Sequence, residues 1–453
     1  MSETAAFPEG FLWGAATSAY QIEGSPLADG ASPSAWHRFT RVPGRVRDGD
    51  TGDVACDHYN RCREDVDLMK ALGLGGYRFS ISWSRVLPEG RGPVNQKGLD
   101  FYRRLVAALR EAGIRPMATL LHADFPAALE DRGGFTNPDS AAWFADFART
   151  CFRALDGAVD LWVTVASPWT LVDGGYLHGT LAPGLASPYA APRAARNLLL
   201  SHAAGVAAYR AEGKGAIGLA VDIEPKSPAS ERPDDVAAAA RADAYQNRQF
   251  LDPVFLGKVP DGLPELFGEA WDGPTAAELD AIRAPIDFLG VGYFTRAVVH
   301  DDPRSFPAME GRAFQRSSTH TETGCEVYPD GLYESLSWVR RRYGNVPLYV
   351  AENGAAFYDP PVAPGAEVDD PLRVAYLDAH LRAVRRAIAD GVDVRGYFVW
   401  SLLDDLEWVH GYRKRFGIVH VDFATRKRTP KASARFLSEV IRTNGTALRK
   451  AGS

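Results

Sequence analysis

Cysteine is scarce in this chain, and its placement excludes more than its number does. Cys56, Cys62, Cys151 and Cys325 are scattered, with no CxxC spacing. Neither a disulfide framework nor a zinc-finger site is written in such a pattern. Histidine is sparse too, at ten residues with no HExxH motif, which argues against a catalytic zinc. No metal and no cofactor is expected. Long apolar runs are missing: none approaches the ~18–20 residues of a membrane span. The opening residues Met1 to Ala6 show neither a basic nor an apolar leader region, so no signal peptide is read there. Reduced thiols without an export signal predict a cytoplasmic location. Positive charge is not in excess. Lys+Arg 51 against Asp+Glu 57 leaves a net charge of −6, which disfavours nucleic acid and anionic membranes as partners. No Ser/Gly-rich linker, charge block or repeat divides the chain, and no Gly-rich phosphate fingerprint follows an early strand.

What is present is an alternation. The 453 residues are 46% hydrophobic and 24% charged, ample for a large core. Short β-type runs are predicted at Phe11–Ala16, Gly76–Trp83, Arg115–His122, Leu161–Ala166, Ala216–Asp222, Phe288–Phe294, Leu348–Glu352 and Val394–Ser401. Between them lie helical patterns at Arg63–Leu72, Gly98–Ala112, Ser140–Leu155, Ala194–Arg210, Asp234–Leu251, Tyr333–Tyr343 and Leu372–Ala389. Leu99, Leu105, Val106 and Leu109 show the three/four spacing of an amphipathic helix. Alternation on this scale implies a parallel sheet with crossover helices. About eight repeats of strand then helix predict a closed (β/α)8 TIM barrel, one domain over residues 1–453. An open doubly wound sheet is the plainer alternative. The Pro/Gly-rich stretches Ser25–Gly52 and Asp302–Cys325 are read as long βα loops walling a mouth.

In such a barrel the chemistry sits at the C-terminal strand ends. Those ends carry Gln21 (just past the first), Arg78 to Trp83, His122, Ser167, Asp222, Tyr293, Glu352 and Trp400. Glu352 stands out: it closes the apolar run Pro347-Leu348-Tyr349-Val350-Ala351 and precedes Asn353-Gly354. A carboxylate ending a buried strand is costly unless paired, so it points to function. This segment resembles the nucleophile motif of glycoside hydrolase family 1, the retaining β-glucosidases. The likeness continues through Phe11-Leu12-Trp13-Gly14 to Tyr20-Gln21-Ile22-Glu23-Gly24, through Tyr77-Arg78-Phe79-Ser80, and through Tyr397 to Asp404, Glu407-Trp408 and Lys414-Arg415-Phe416-Gly417.

The resemblance implies roles. Gln21, His122, Glu407 and Trp408 would hydrogen-bond sugar hydroxyls, with Trp400 as an aromatic floor. These groups suit hydroxyls, which both donate and accept, while a sugar's C–H face packs on indole. Arg78 would lower the pKa of Glu352. Taken singly, His122 reads as a satisfied core histidine, and Arg78 and Trp400 as scaffold; Gln21, Glu407 and Trp408 rarely gather for packing alone. The family's acid/base segment, Thr-(Phe/Leu)-Asn-Glu-Pro, is matched here by Thr164-Val165-Ala166-Ser167-Pro168, so Ser167 stands at the acid/base position. Further departures are Ala123 for Trp, Gly292-Tyr293-Phe294 for Asn-Tyr-Tyr, Gly324-Cys325-Glu326 for Gly-Trp-Glu, and Phe135 for Trp. They cluster at the mouth and mostly shrink a side chain, which predicts a widened pocket involving Ala123, Ala166, Ser167, Gly292 and Cys325. Asp222 and Asp405 stand where amides are usual; the plainer reading of both is a solvated or hydrogen-bonded loop carboxylate.

Three readings follow. In the first, the chain is a β-glucosidase-family protein whose hydrolysis is crippled or restricted to good leaving groups. In the second, the barrel is repurposed for carboxylate-base proton abstraction, by Glu352 or Asp222, or for a larger apolar ligand. In the third, it binds a sugar or another small molecule without catalysis. All three take a small-molecule ligand, a glycoside or an aromatic compound.

Overall fold

Eight apolar runs become eight parallel strands because each is covered on both faces. The third shows the rule: in Arg115–His122 only Arg115 is exposed and the following seven residues are buried. Alternating patterns face water on one side, whereas continuous apolar runs belong to parallel sheets covered by helices. A computed structural model describes residues 6–155, 157–360 and 367–448. Residues 1–5, on which most of the reading against a signal peptide rests, and the far ends of the 1–453 domain assignment lie outside the described residues.

The strands are β1 (Leu12–Ala16), β2 (Gly76–Ser80), β3 (Arg115–His122), β4 (Leu161–Ala166), β5 (Ala216–Asp222), β6 (Phe288–Tyr293), β7 (Leu348–Asn353) and β8 (Val394–Trp400). They close into a barrel, each pairing in parallel with its neighbours and β8 pairing with β1. The open-sheet alternative is thereby removed. Helices α1 (His58–Ala71), α2 (Gln96–Glu111), α3 (Ser140–Leu155), α4 (Ala190–Glu212), α5 (Pro233–Asp243), α6 (Gln249–Leu256), α7 (Pro329–Tyr343), α8 (Pro371–Ala389) and α9 (Ala432–Arg442) lie between and after them. Among the described residues no helix is long and apolar enough to cross a membrane.

Register fixes the mouth. Asp222 lies opposite Gly292 across β5 and β6, and Gly292 lies opposite Glu352 across β6 and β7. Residues directly opposite each other project to the same face of a sheet, so Asp222 and Glu352 share one level of the rim, separated by a residue with no side chain.

The structure departs from the sequence reading in places. The second strand stops at Ser80, and Trp83 begins a short helix, Trp83–Val86; its indole N–H donates to the Gly90 carbonyl at 3.0 Å. The helix expected over Asp234–Leu251 passes through a wider turn at Ala244–Arg248. Helix α9 was not anticipated, although Ala434, Leu437 and Val440 recur every third residue and are buried.

Helix α2 packs as its spacing requires, with Leu99, Tyr102, Leu105, Val106 and Leu109 buried. Removing most of a buried leucine loses transfer free energy and leaves a cavity. Leu109→Ala is therefore expected to destabilise the fold by about 2–5 kcal/mol, read as a lower urea midpoint at an unchanged slope. A loss under about 0.5 kcal/mol, the scale of surface substitutions, would contradict this packing.

Candidate active site

The strand ends bring two carboxyl groups, Glu352 and Asp222, under the influence of the Arg78 guanidinium, and the loop after β8 adds Asp405 and Glu407 within reach of the Glu352 charge. Glu352, from β7, is 5% exposed, and Arg78, from β2, is 1% exposed. The Arg78 Nη1 donates to Glu352 Oε1. Arg78 is itself held by Thr119 Oγ1 at 3.1 Å and the Ala351 carbonyl at 3.3 Å. His122, closing β3, brings Nε2 to 3.6 Å from Glu352 Oε1. Burial pushes the Glu352 carboxyl up, and the opposing pull of Arg78 does not cancel it. Arg78 lowers the Glu352 pKa as expected, but desolvation of the carboxylate outweighs this one paired cation. Burial, then the Arg78 charge, drives His122 well below its usual range, so its imidazole is neutral.

The loop after β8 supplies the opposite wall. Gln21 donates to the Leu406 carbonyl at 3.0 Å and to Asp405 Oδ1 at 3.5 Å, and accepts from the Ser18 hydroxyl at 2.5 Å. Trp400 and Trp408 place their rings 5.7 and 6.3 Å from that of His122. Asp404 anchors this loop, accepting from buried Lys431 at 2.8 Å, Arg415 at 2.7 Å and the Gly417 N–H at 3.0 Å. Such a network fixes Asp405, Glu407 and Trp408 without occupying them.

Asp405 and Glu407 are both driven up. Burial and then the Glu352 charge bring Glu407 to about 8. Burial, then Glu407, takes Asp405 well above the carboxylate range. Asp405 is 1% exposed and accepts from Gln21, so of the two plainer readings it is the hydrogen-bonded loop carboxylate and not the solvated one.

On the other side, Ser167 and Ala123 follow their strands in left-handed backbone, at φ 50° and 56°. Non-glycine residues adopt this conformation rarely, and such positions concentrate at functional sites. Ala166 is turned into the barrel interior with Trp400, Ala16 and Phe416, and Phe294 packs against the same cluster. The Ser167 hydroxyl lies near enough to the Asp222 carboxyl to pull its pKa down. Asp222 is half-buried at the last position of β5, a strand-end carboxylate rather than a loop one. Burial, then the Glu352 charge, raises it to about 7, while Ser167 and Arg78 pull it down.

Several polar atoms at this mouth are buried without a protein partner: Arg78 Nη2, His122 Nδ1, Asp405 Oδ2 and Glu407 Oε2. Buried polar groups are normally paired, so this set is complementary to a polyhydroxylated ligand. Cys325 is not brought to it. Its thiol takes a 3.7 Å contact from Thr323 and lines a cavity of about 340 Å³ walled by Arg296, Arg312, Phe314 and His320, without Ala123, Ser167 or Glu352. Sequence reasoning did not single out Trp36, whose ring lies 4.5 Å from Trp408, or give Asp124 a role. Asp124 accepts from the Trp36 N–H at 3.0 Å and is raised by burial to about 7. Trp36 comes from the loop 25–52, where no strand-end position marks it.

A strand-end carboxylate held by an arginine, in a (β/α)8 barrel lined with unpaired hydroxyl-binding groups, defines a glycosidase-type site. The chain belongs to glycosyl hydrolase family 1, whose model matches residues 3–446. It is 46% identical over 441 residues to a 1,4-beta-D-glucan glucohydrolase of Thermotoga neapolitana, covering 97% of this chain and 99% of that protein. Beta-glucosidase A of Thermotoga maritima is 45% identical over 441 residues, covering 97% and 98%. The solved family 1 β-glucosidase from Thermotoga maritima superimposes with a TM-score of 0.94 at 45% identity, covering 97% of this chain and 98% of that one. The structure of β-glucosidase from Thermotoga maritima in complex with glucoimidazole gives the same TM-score, 0.94.

Proposed function

We propose that this protein is a β-glucosidase in which Glu352 attacks the anomeric carbon, while its hydrolysis is restricted by Ser167 at the position of the family's acid/base. The observation that carries this reading is the buried Arg78–Glu352 pair at the end of β7, facing unpaired polar atoms of Arg78, His122, Asp405 and Glu407. Arg78 orients Glu352 Oε1, the oxygen that does not attack. Gln21, His122, Glu407 and Trp408 hold sugar hydroxyls, with Trp400 beneath the ring. Protonated Glu407, at about 8, donates a hydrogen bond at neutral pH.

Retaining hydrolysis needs a second carboxyl to protonate the leaving oxygen and then to activate water. A serine hydroxyl is far too weak an acid for either step. Ala166, where the family has an asparagine, removes a contact to the sugar 2-hydroxyl that strengthens in the transition state. Phenolate leaving groups need little protonation, so activated aryl β-glucosides are expected to give a burst of phenol and a persistent glycosyl-enzyme on Glu352. Alkyl β-glucosides are expected to turn over slower by about 10²–10⁴, the usual contribution of a positioned acid/base. Azide or formate should speed the aryl reaction, since an anion attacks without general-base help. Stopped-flow absorbance and intact-protein mass spectrometry read these steps. Equal turnover of alkyl and aryl substrates would remove the restriction, and absence of any Glu352 adduct would remove the nucleophile.

A second reading, proton abstraction from a larger apolar ligand, is favoured by the placing of Asp222 at the end of β5, where burial pushes its carboxyl up to about 7, the range of a general base. Tight binding of a flat aromatic together with no Glu352 adduct would favour it.

A further inference from the structure

Asp222 has no part in the β-glucosidase reading, yet its placement matches what that reading lacks. It lies at the same level of the rim as Glu352, with Gly292 between them. Two strand spacings put their Cα atoms about 9–10 Å apart, and both side chains project to the same face. The two carboxyls are near enough that the Glu352 charge raises Asp222, as paired carboxyls across a glycosidic bond do. Gly292 is what allows this. A Cβ built there would overlap Oδ1 of Asp222, so the missing side chain is the space the Asp222 carboxyl fills. Asp222 is also half-buried rather than sealed, open to ligand and to solvent protons.

Resting on the assignment of Glu352 as nucleophile, we infer that Asp222 is the acid/base behind the slow alkyl turnover expected above, with Ser167 beside its carboxyl as a positioning residue. In the first step Glu352 Oε forms a bond to the anomeric carbon as the bond to the leaving oxygen breaks. The bonding pair goes to that oxygen, and Asp222 gives it its proton. In the second step water attacks the same carbon, Asp222 takes the water's proton, and the bond to Glu352 breaks, with its electron pair returning to the carboxylate.

The groups facing Asp222 set the proton's availability. Glu352 from β7 raises it, and Ser167 after β4 and Arg78 from β2 lower it. His122 on β3 is neutral, Glu407 after β8 is raised to about 8, and Asp405 beside it is driven well above the carboxylate range. With its pKa raised to about 7, Asp222 is protonated below that pH and loses its proton above it. Turnover of alkyl glucosides is therefore expected to fall as pH rises through about 7, while adduct formation from a dinitrophenyl glucoside does not share that limb.

The test compares Asp222→Asn with the unaltered chain. The variant is expected to lose on the order of 10²-fold in alkyl glucoside kcat/KM, to lose the limb near 7, and to label Glu352 with a dinitrophenyl glucoside within a few-fold of the original rate. Azide should rescue its turnover. A second variant, Gly292→Ala, pushes the carboxyl aside without changing it. It is expected to show the same split, so misfolding of one variant does not decide the matter. Unchanged alkyl turnover and pH profile in both variants, with Glu352 still labelled, would overturn the role of Asp222 and leave the nucleophile standing. No labelling of Glu352 in the unaltered chain would instead overturn the underlying reading.

Discussion

Glu352→Gln is expected to abolish covalent labelling by an activated fluorosugar and to lower aryl β-glucoside turnover on the order of 10⁴-fold or more. Removing the nucleophile of a covalent mechanism removes the step on which the others depend. The effect should reach past the bond itself. The negative charge of Glu352 helps raise Asp222, Glu407 and Asp405; without it all three carboxyls are expected to titrate lower. The change also leaves Arg78 buried beside a neutral amide. Breaking a buried ion pair costs about 3–5 kcal/mol, lessened here because an amide oxygen still accepts from the guanidinium. Urea denaturation separates that cost from the loss of chemistry. A folded Glu352→Gln protein that still forms the adduct, or keeps a tenth of its aryl turnover, would end the nucleophile assignment.

The second large effect runs the other way. Ser167→Glu should raise alkyl β-glucoside turnover by about 10²–10⁴, and Ala166→Asn in addition should raise it further. The backbone at 167 already holds a side chain in left-handed conformation, so the longer residue adds no new torsional demand. Its surroundings are small: Ala166 on one side and Gly292 beyond Asp222. Asp222 limits the gain, because a second carboxyl beside it adds like-charge repulsion and pushes one of the pair up. Initial rates with a methyl and a nitrophenyl glucoside check the result. A folded double variant no better than the original on the methyl glucoside would mean that position 167 does not face the leaving group.

The barrel was legible because parallel strands covered on both faces read as apolar runs. Arg115–His122 and Leu161–Ala166 fall where the sequence places them. The strand drawn on to Trp83 failed because Trp83, equally apolar, serves a helix instead. Glu352 and Arg78 could be paired from sequence, but not the direction of the Glu352 shift, which depends on how much water the fold removes. Asp222 shows the same gap more sharply. Its setting comes from a residue opposite that has no side chain, a relation that exists only once β5 and β6 are in register. Cys325 is the converse: a substitution that reads as part of the mouth, yet lines another cavity.

Four carboxyls linked through the Glu352 charge make the mouth a store of exchangeable protons. A neutral sugar can enter and leave that store as it was. A ligand carrying its own positive charge meets Glu407 at about 8 and Asp222 at about 7, and is held best once one of them has given its proton to solvent. Binding of a cation is then an exchange of one positive charge for another, strengthening as pH rises through that range. Selectivity between charged and uncharged sugar mimics is thereby set by the proton concentration outside as much as by the walls of the site.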